Sequence, residues 1–307
     1  MKKTLRTCIR ISLYGTLLIL IVNWPGPSSA EPKTHFFFAN LPNTYLDGHI
    51  KESRMALQLF LQKAFHHKHS DLKLHLDFLS DSRVLLMPNP AQRYDVLTMT
   101  SMDYFSLKDQ LNLEPLVFLS KDDKPTESFL LLSRTGQTWE TLSRKTERSL
   151  SMQKGYSETI ARSWGAALVA DHQRSTLDAY FSSIRLADTP HRAVLPVFFG
   201  QIDMCIVSRC AYDLILELNP QIKEKLVILE QSQEFINIII CGTDQLGDWA
   251  RQVVLKETID MHTHPVGQQA LTLIQMNRFW PFDPSLLDAT KDLYQWREQH
   301  GQGVNCQ

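Results

Sequence analysis

HRAVLPVFFGQIDMCIV, residues 191–207, is the stretch on which the fold turns. Thr189 and Pro190 stand just before it, a hydroxyl cap followed by proline at the first helical position, and together they start a helix. Pro196 falls inside that helix and is expected to kink it or displace its beginning. Gly200, Gln201 and Ile202 then lead the chain into a strand read over 202–207, which puts Asp203 near the strand's beginning. A helix feeding a strand is half of an alternating unit, so the test is whether the alternation continues on both sides.

Upstream, apolar runs at 35–39, 72–79, 94–98 and 116–120 read as strands, with amphipathic helices over 50–65 and 102–110. Order of this kind implies a mostly parallel sheet covered by helices. The alternation restarts after a polar stretch at 134–148, with strands at 129–133, 150–153 and 183–186 and a helix over 157–170. Beyond the opening stretch come a helix over 211–218, ended by Asn219-Pro220, and a strand over 226–229. Residues 235–241 are strongly β-prone, and the remainder reads as helices over 246–259, 267–277 and 284–299. Those last helices have no sheet of their own. The economical solution returns them to the first lobe, with crossings near 126–135 and 230–237. The expected fold is therefore α/β and two-lobed, each lobe a mostly parallel sheet flanked by helices, with a two-strand hinge. Residues 31–130 and 233–307 would form one lobe and 131–232 the other.

The amino terminus sets the compartment. Lys2, Lys3, Arg6 and Arg10 precede an uncharged apolar run, and Ser28 and Ala30 fit a signal-peptidase site, so residues 1–30 read as a cleaved secretory signal. The apolar run is shorter than the roughly 20 residues of a membrane-spanning helix. Cys8 precedes the run and cannot be the lipidated cysteine of a lipoprotein signal. Cleavage leaves 28 Lys plus Arg against 33 Asp plus Glu, a formal charge of −5, which gives no sign of a nucleic-acid partner. With 43% hydrophobic residues the chain can bury two cores. Cys205, Cys210, Cys241 and Cys306 remain after cleavage; Cys205 and Cys241 lie in strand-like runs and read as buried thiols. The disulfide state is left open.

The 191–207 stretch, with ELNPQI at 217–222 and LVILEQS at 226–232, resembles the phosphate, phosphite and phosphonate substrate-binding proteins of ABC transporters. That family carries a His-x-x-x-(x)-Ala-Val-x-x-Gly-x-Val-Asp-Ala pattern in its second lobe. GQQAL at 267–271, FWPFD at 279–283 and Tyr294 are similar to its final helices. The likeness covers about two thirds of the mature chain, by motif from residue 183 onward and by pattern before it. It implies a periplasmic, monomeric protein of the type II binding-protein fold that holds a small-molecule ligand, has no enzymatic activity and needs no cofactor.

The resemblance also implies a site. Family members hold their anion in a Gly-Ser-Thr-Ser-Gly type loop at a helix N-terminus, where backbone N–H groups and the helix dipole favour negative charge. Here the loop is Gln153 to Thr159: Gly155 and Ser157 keep a glycine and a hydroxyl, Lys154 adds a positive charge, Thr159 follows, and Glu158 opposes a phosphate. Asp203 either meets the ligand or turns the backbone, and His191 either faces the cleft or is a solvated first-turn residue. Ligands of open α/β sheets sit beyond the strand ends, which makes Tyr45, Ser101 and Tyr104 candidates in the first lobe, with core packing as the alternative for each.

Other chemistry has weaker support. A Gly-x-Ser-x-Gly elbow fails at Thr159. His66, His67 and His69, and the pair His262 and His264, lack accompanying ligand motifs, so no metal is expected. Phe279, Trp280 and Phe282 read as interhelix packing. Two partners fit such a protein: the membrane permease of an ABC transporter, or a membrane sensor that reads ligand occupancy.

Overall fold

The computed structural model describes residues 35–44, 73–87, 94–121 and 123–301, with Arg54, Met55, Gln58, Gln62 and Lys63. The signal read over 1–30, Tyr45, His66, His67, His69 and Cys306 lie outside the described residues. So does the helix read over 50–65, apart from those five residues, which are helical.

In chain order the strands are β1 (His35–Asn40), β2 (Lys73–Phe78), β3 (Val96–Thr100), β4 (Glu114–Ser120), β5 (Phe129–Arg134), β6 (Ser149–Gln153), β7 (Ser183–Ala187), β8 (Met204–Ser208), β9 (Leu226–Gln231), β10 (Ile238–Gly242) and β11 (Arg278–Pro281). The helices are α1 (Ser101–Leu111), α2 (Trp139–Ser143), α3 (Glu158–Gln173), α4 (Leu177–Tyr180), α5 (Pro190–Phe198), α6 (Arg209–Leu218), α7 (Ile222–Lys225), α8 (Asp248–Ile259), α9 (Pro265–Leu273) and α10 (Asp288–Gln299). Thr189 caps α5 as its sequence dictates, accepting a bond from the Arg192 N–H. Pro196 does not displace the start of the helix; it falls in the last turn, and α5 ends two residues later. Gly200 then takes a φ of +75°, in the left-handed region that lets the chain turn from α5 toward β8.

Two sheets result, ordered β11-β4-β10-β3-β1-β2 and β7-β6-β8-β5-β9. Both are mixed. The parallel pairs are β1 with β2 and β3, and β6 with β7 and β8, while the edge strand β11 pairs antiparallel with β4. The strands that arrive from the other sheet, β5 and β10, insert antiparallel between two neighbours. Each sheet is buried on both faces, so its central strands read as unbroken apolar runs whose residues alternate between two cores. Phe129 and Leu131 of β5 join one cluster with Met204 and Ile206, while Leu130 and Leu132 join the opposite one with Cys205 and Val207. Ile238 and Ile240 of β10 divide from Ile239 and Cys241 in the same way.

One reading changes. Residues 278–281 are an edge strand, β11, and not the interior of a helical pair. Aromatic residues favour a half-buried pleated surface, and Pro281 is tolerated at a sheet edge. Phe279 therefore packs to one face of the first sheet and Trp280 and Phe282 to the other.

The chain passes between the sheets twice, and the passages pair. Glu127 and Phe235 exchange backbone bonds of 2.8 and 2.8 Å, and Ser232 and Phe129 bond beside them. Helix α10 lies against this junction. Thr290, fully buried, accepts the Ile236 N–H at 2.9 Å. Tyr294 meets Phe105 and Ser106 of α1, while Leu293 shares a cluster with Ile160 and Trp164 of α3.

Candidate functional site

Ligands of open α/β sheets gather where the parallel strands end, because helix N-termini and loops converge there. In this molecule those ends meet at the passages. After β3, the Ser101 N–H bonds the Asn237 carbonyl at 2.9 Å; after β8, the Arg209 N–H bonds the Ser128 carbonyl at 2.8 Å. A small, partly open space lies at this junction. Leu119, Ser120 and Lys121 line it from the end of β4, Pro125 and Glu127 from the first passage, Asn237 from the second, and Tyr156 from the loop after β6. Tyr156 also packs against the core of the first sheet, so the second sheet's loop touches the first sheet across the gap.

The polar groups here are buried. Glu127 and Asn237 are 7% and 6% exposed, and the Asn237 amide N–H donates to the Glu127 carboxylate. Asn237 Oδ1 and Ser101 Oγ are buried and have no hydrogen-bond partner among the described residues. An unmet buried acceptor or donor typically costs about 1–3 kcal/mol, so such groups mark places where a solute or water completes the structure.

The expected residues divide between this junction and elsewhere. Ser101 is wholly buried at the junction. Lys154, Ser157 and Thr159 flank Tyr156 in sequence. Lys154 is exposed, and its N–H bonds the Ala187 carbonyl, which ties this loop to the end of β7. Ser157 is the N-terminal cap residue of α3 by position, is buried, and makes no side-chain capping bond. Thr159 is half-buried in the first turn of α3, beside Glu158. His191 is half-buried in the first turn of α5, the helix that follows β7.

Two residues stand apart from these. Asp203 precedes β8, at the opposite end of that strand from Ser208 and the passages. Its carboxylate pairs with Lys145 and accepts 2.9 Å bonds from the Ser149 N–H and hydroxyl. Burial alone would raise its carboxyl pKa; the bonds from Lys145 and Ser149 outweigh burial and hold it below the ordinary value. Tyr104 lies in the core with Leu107, Phe118 and Cys241, where desolvation raises its phenol pKa.

Glu127, Asn237 and Tyr156 were not among the expected residues. Tyr156 stands inside the loop singled out by motif, and the other two inside the expected crossings. Their signal is polarity in otherwise β-prone passages. No metal-binding group of three or more His, Cys, Asp or Glu occurs among the described residues.

The fold has many solved counterparts. A Xanthomonas citri protein bound to chloride ion superposes with a TM-score of 0.63 at 13% identity, covering 89% of this chain and 100% of that one. The binding-protein component of a Pseudomonas aeruginosa ABC phosphonate transporter gives 0.60 at 12% identity, covering 89% and 90%. PhnD1 of Prochlorococcus marinus, in complex with methylphosphonate, gives 0.58 at 10% identity, covering 87% and 99%. No curated protein matches the sequence. The family model described as "ABC transporter, phosphonate, periplasmic substrate-binding protein" matches residues 54–287, most of the chain, and this protein belongs to that family of ABC-transporter substrate-binding proteins.

Proposed function

We propose that this protein captures a small anionic solute of the phosphate or phosphonate class between its lobes and delivers it to the permease of an ABC importer. In this reading residues 1–30 direct export to the periplasm and are removed. Residues 31–130 with 233–307, and residues 131–232, are the lobes of a monomer. Like other members of its family, the protein binds its solute without transforming it.

The observation that carries the proposal is the start of α3. A 16-residue helix presents its N-terminal N–H groups beside Tyr156, and Ser157 leaves its hydroxyl uncommitted to capping. Anions are favoured at such an end. Ser101, Ser157, Thr159, Lys154 and His191 are the proposed contacts, with Tyr45, which follows β1 in the sequence. Asp203 and Tyr104 are excluded because one is committed to Lys145 and Ser149 and the other to the core.

A thermal-shift series with phosphate, phosphite, methylphosphonate and a sulfonate tests this. A solute that binds only the folded protein stabilises it by about 2.7 kcal/mol at a hundred times its dissociation constant. One of these anions is expected to raise the melting temperature, and Ser157→Ala to reduce the shift. A flat response to every anion would remove the proposal.

A further inference from the structure

Far from the passages, the first sheet ends in β2 paired with β1, and one face of that pair carries a row of rings at the strands' amino-terminal ends. Alternate residues of a strand share a face, so His35 and Phe37 of β1 stand together. The parallel register sets Lys73 beside His35 and His75 beside Phe37. His35 is exposed and His75 half-buried. His35 Nδ1 lies 3.0 Å from His75 Nε2, and the two ring planes differ by 13°. Phe37 stacks on His75 with 4.6 Å between ring centroids, which restrains the plane of that imidazole. The two histidines are 40 residues apart, so no local spacing reveals the pair in the sequence.

Two imidazole nitrogens that face each other have two uses. One can carry a proton and donate it to the other, or both can offer lone pairs to a common metal ion. The separation fits the second use as well as the first. With metal–nitrogen bonds of about 2.0–2.1 Å, nitrogens 3.0 Å apart subtend about 95° at the metal. That is the angle between neighbouring ligands of a square-planar or octahedral ion, and it is narrower than a tetrahedral zinc site prefers. Coordination requires the rings to tilt until their lone pairs converge, while the proton between them moves to the far nitrogen of its own ring. Lys73 then selects the class of ion. Its ammonium group beside His35 disfavours a hard cation, which would in any case seek carboxylate oxygens. Imidazole coordination suits copper and nickel, and copper(II) is the tightest of the divalent series.

We propose that His35 and His75 form a surface site for copper(II), which clips the outer strand β2 to β1. The site lies on residues that the solute reading does not use, and it stands or falls independently of that reading.

Calorimetric titration of the purified, tag-free protein with copper(II) chloride tests this, with nickel(II) chloride and magnesium chloride alongside. Copper is expected to bind more tightly than nickel, and magnesium to give no signal. His35→Gln and His75→Gln should each weaken the copper site about tenfold or more. The combined replacement His66→Ala, His67→Ala and His69→Ala should leave it in place. Circular dichroism reports whether each variant folds. A second readout needs no variant: copper with ascorbate and oxygen oxidises the histidines that hold it, and peptide mass spectrometry should find the added oxygen on His35 and His75.

Undiminished copper affinity in a folded His35→Gln or His75→Gln protein would overturn the proposal. Loss of the site in the combined alanine variant would do the same, because the pair is intact there. Oxidation confined to other histidines, or no copper binding at all, would also refute it.

Discussion

Asp203 sits just before β8, and its carboxylate links that strand's start to the start of β6 through Ser149 and to the preceding loop through Lys145. The carboxyl pKa is depressed in the folded chain, so the stability it contributes is present above its ordinary value near pH 4 and is lost as pH falls through the folded-state value. Asp203→Asn is expected to cost about 1–2 kcal/mol at pH 7, read as a lower urea midpoint. The gap between variant and parent should narrow below about pH 4. An unchanged midpoint at pH 7 would mean the carboxylate bears no structural role. Strand polarity explains why this residue was ambiguous in the sequence. Motif likeness draws Asp203 toward the cleft, whereas ligands gather beyond the other end of a parallel strand, where Ser208 lies. Glu127 and Asn237 were illegible for another reason: their meaning depends on a contact across 110 residues of sequence. Tyr156, by contrast, lies inside the loop singled out by motif, but its packing onto the other sheet is a tertiary contact that the loop's own sequence does not encode.

At the scale of elements, capping and periodicity located most helices and strands, because Thr189-Pro190 and the apolar runs act locally. The exception at β11 arose because a short aromatic segment after a helix has no period long enough to distinguish strand from helix. The short helix α2 was hidden within a polar stretch, where Thr138 and Thr141 bond each other's backbone in a capping box. Tertiary packing also decides what a helical glycine is worth. Gly267 lies in α9, where alanine would be the better helix former by about 1 kcal/mol. Yet a Cβ there would fall 1.6 Å from the carbonyl oxygen of Met261 in the preceding 3₁₀ turn. Because the obstacle is backbone, relief requires moving α9 off that turn, at a cost of about 1–3 kcal/mol for overpacking. Gly267→Ala is therefore expected to destabilise, lowering the thermal midpoint; a midpoint at or above the parent's would show that α9 is not docked as described.

For the whole molecule, the consequence of two passages is that relative motion of the sheets must be absorbed near Glu127 and Phe235, where few backbone bonds join them. Helix α10 touches α1 and α3 and accepts from Ile236 through Thr290, so it spans the same junction and limits how that motion proceeds. Further contacts are made by Tyr156, which reaches from the loop after β6 onto the first sheet's core, and by Met102 of α1, which packs into the second sheet's cluster. A solute shifts such an equilibrium only as far as it prefers one arrangement. Tyr156 packs across the gap, and its removal should move the balance toward separation. Small-angle X-ray scattering on solute-free Tyr156→Ala should therefore give a larger radius of gyration than the parent, and saturating solute should reduce the difference. Equal radii in the absence of solute would show that Tyr156 does not bias the lobes toward contact.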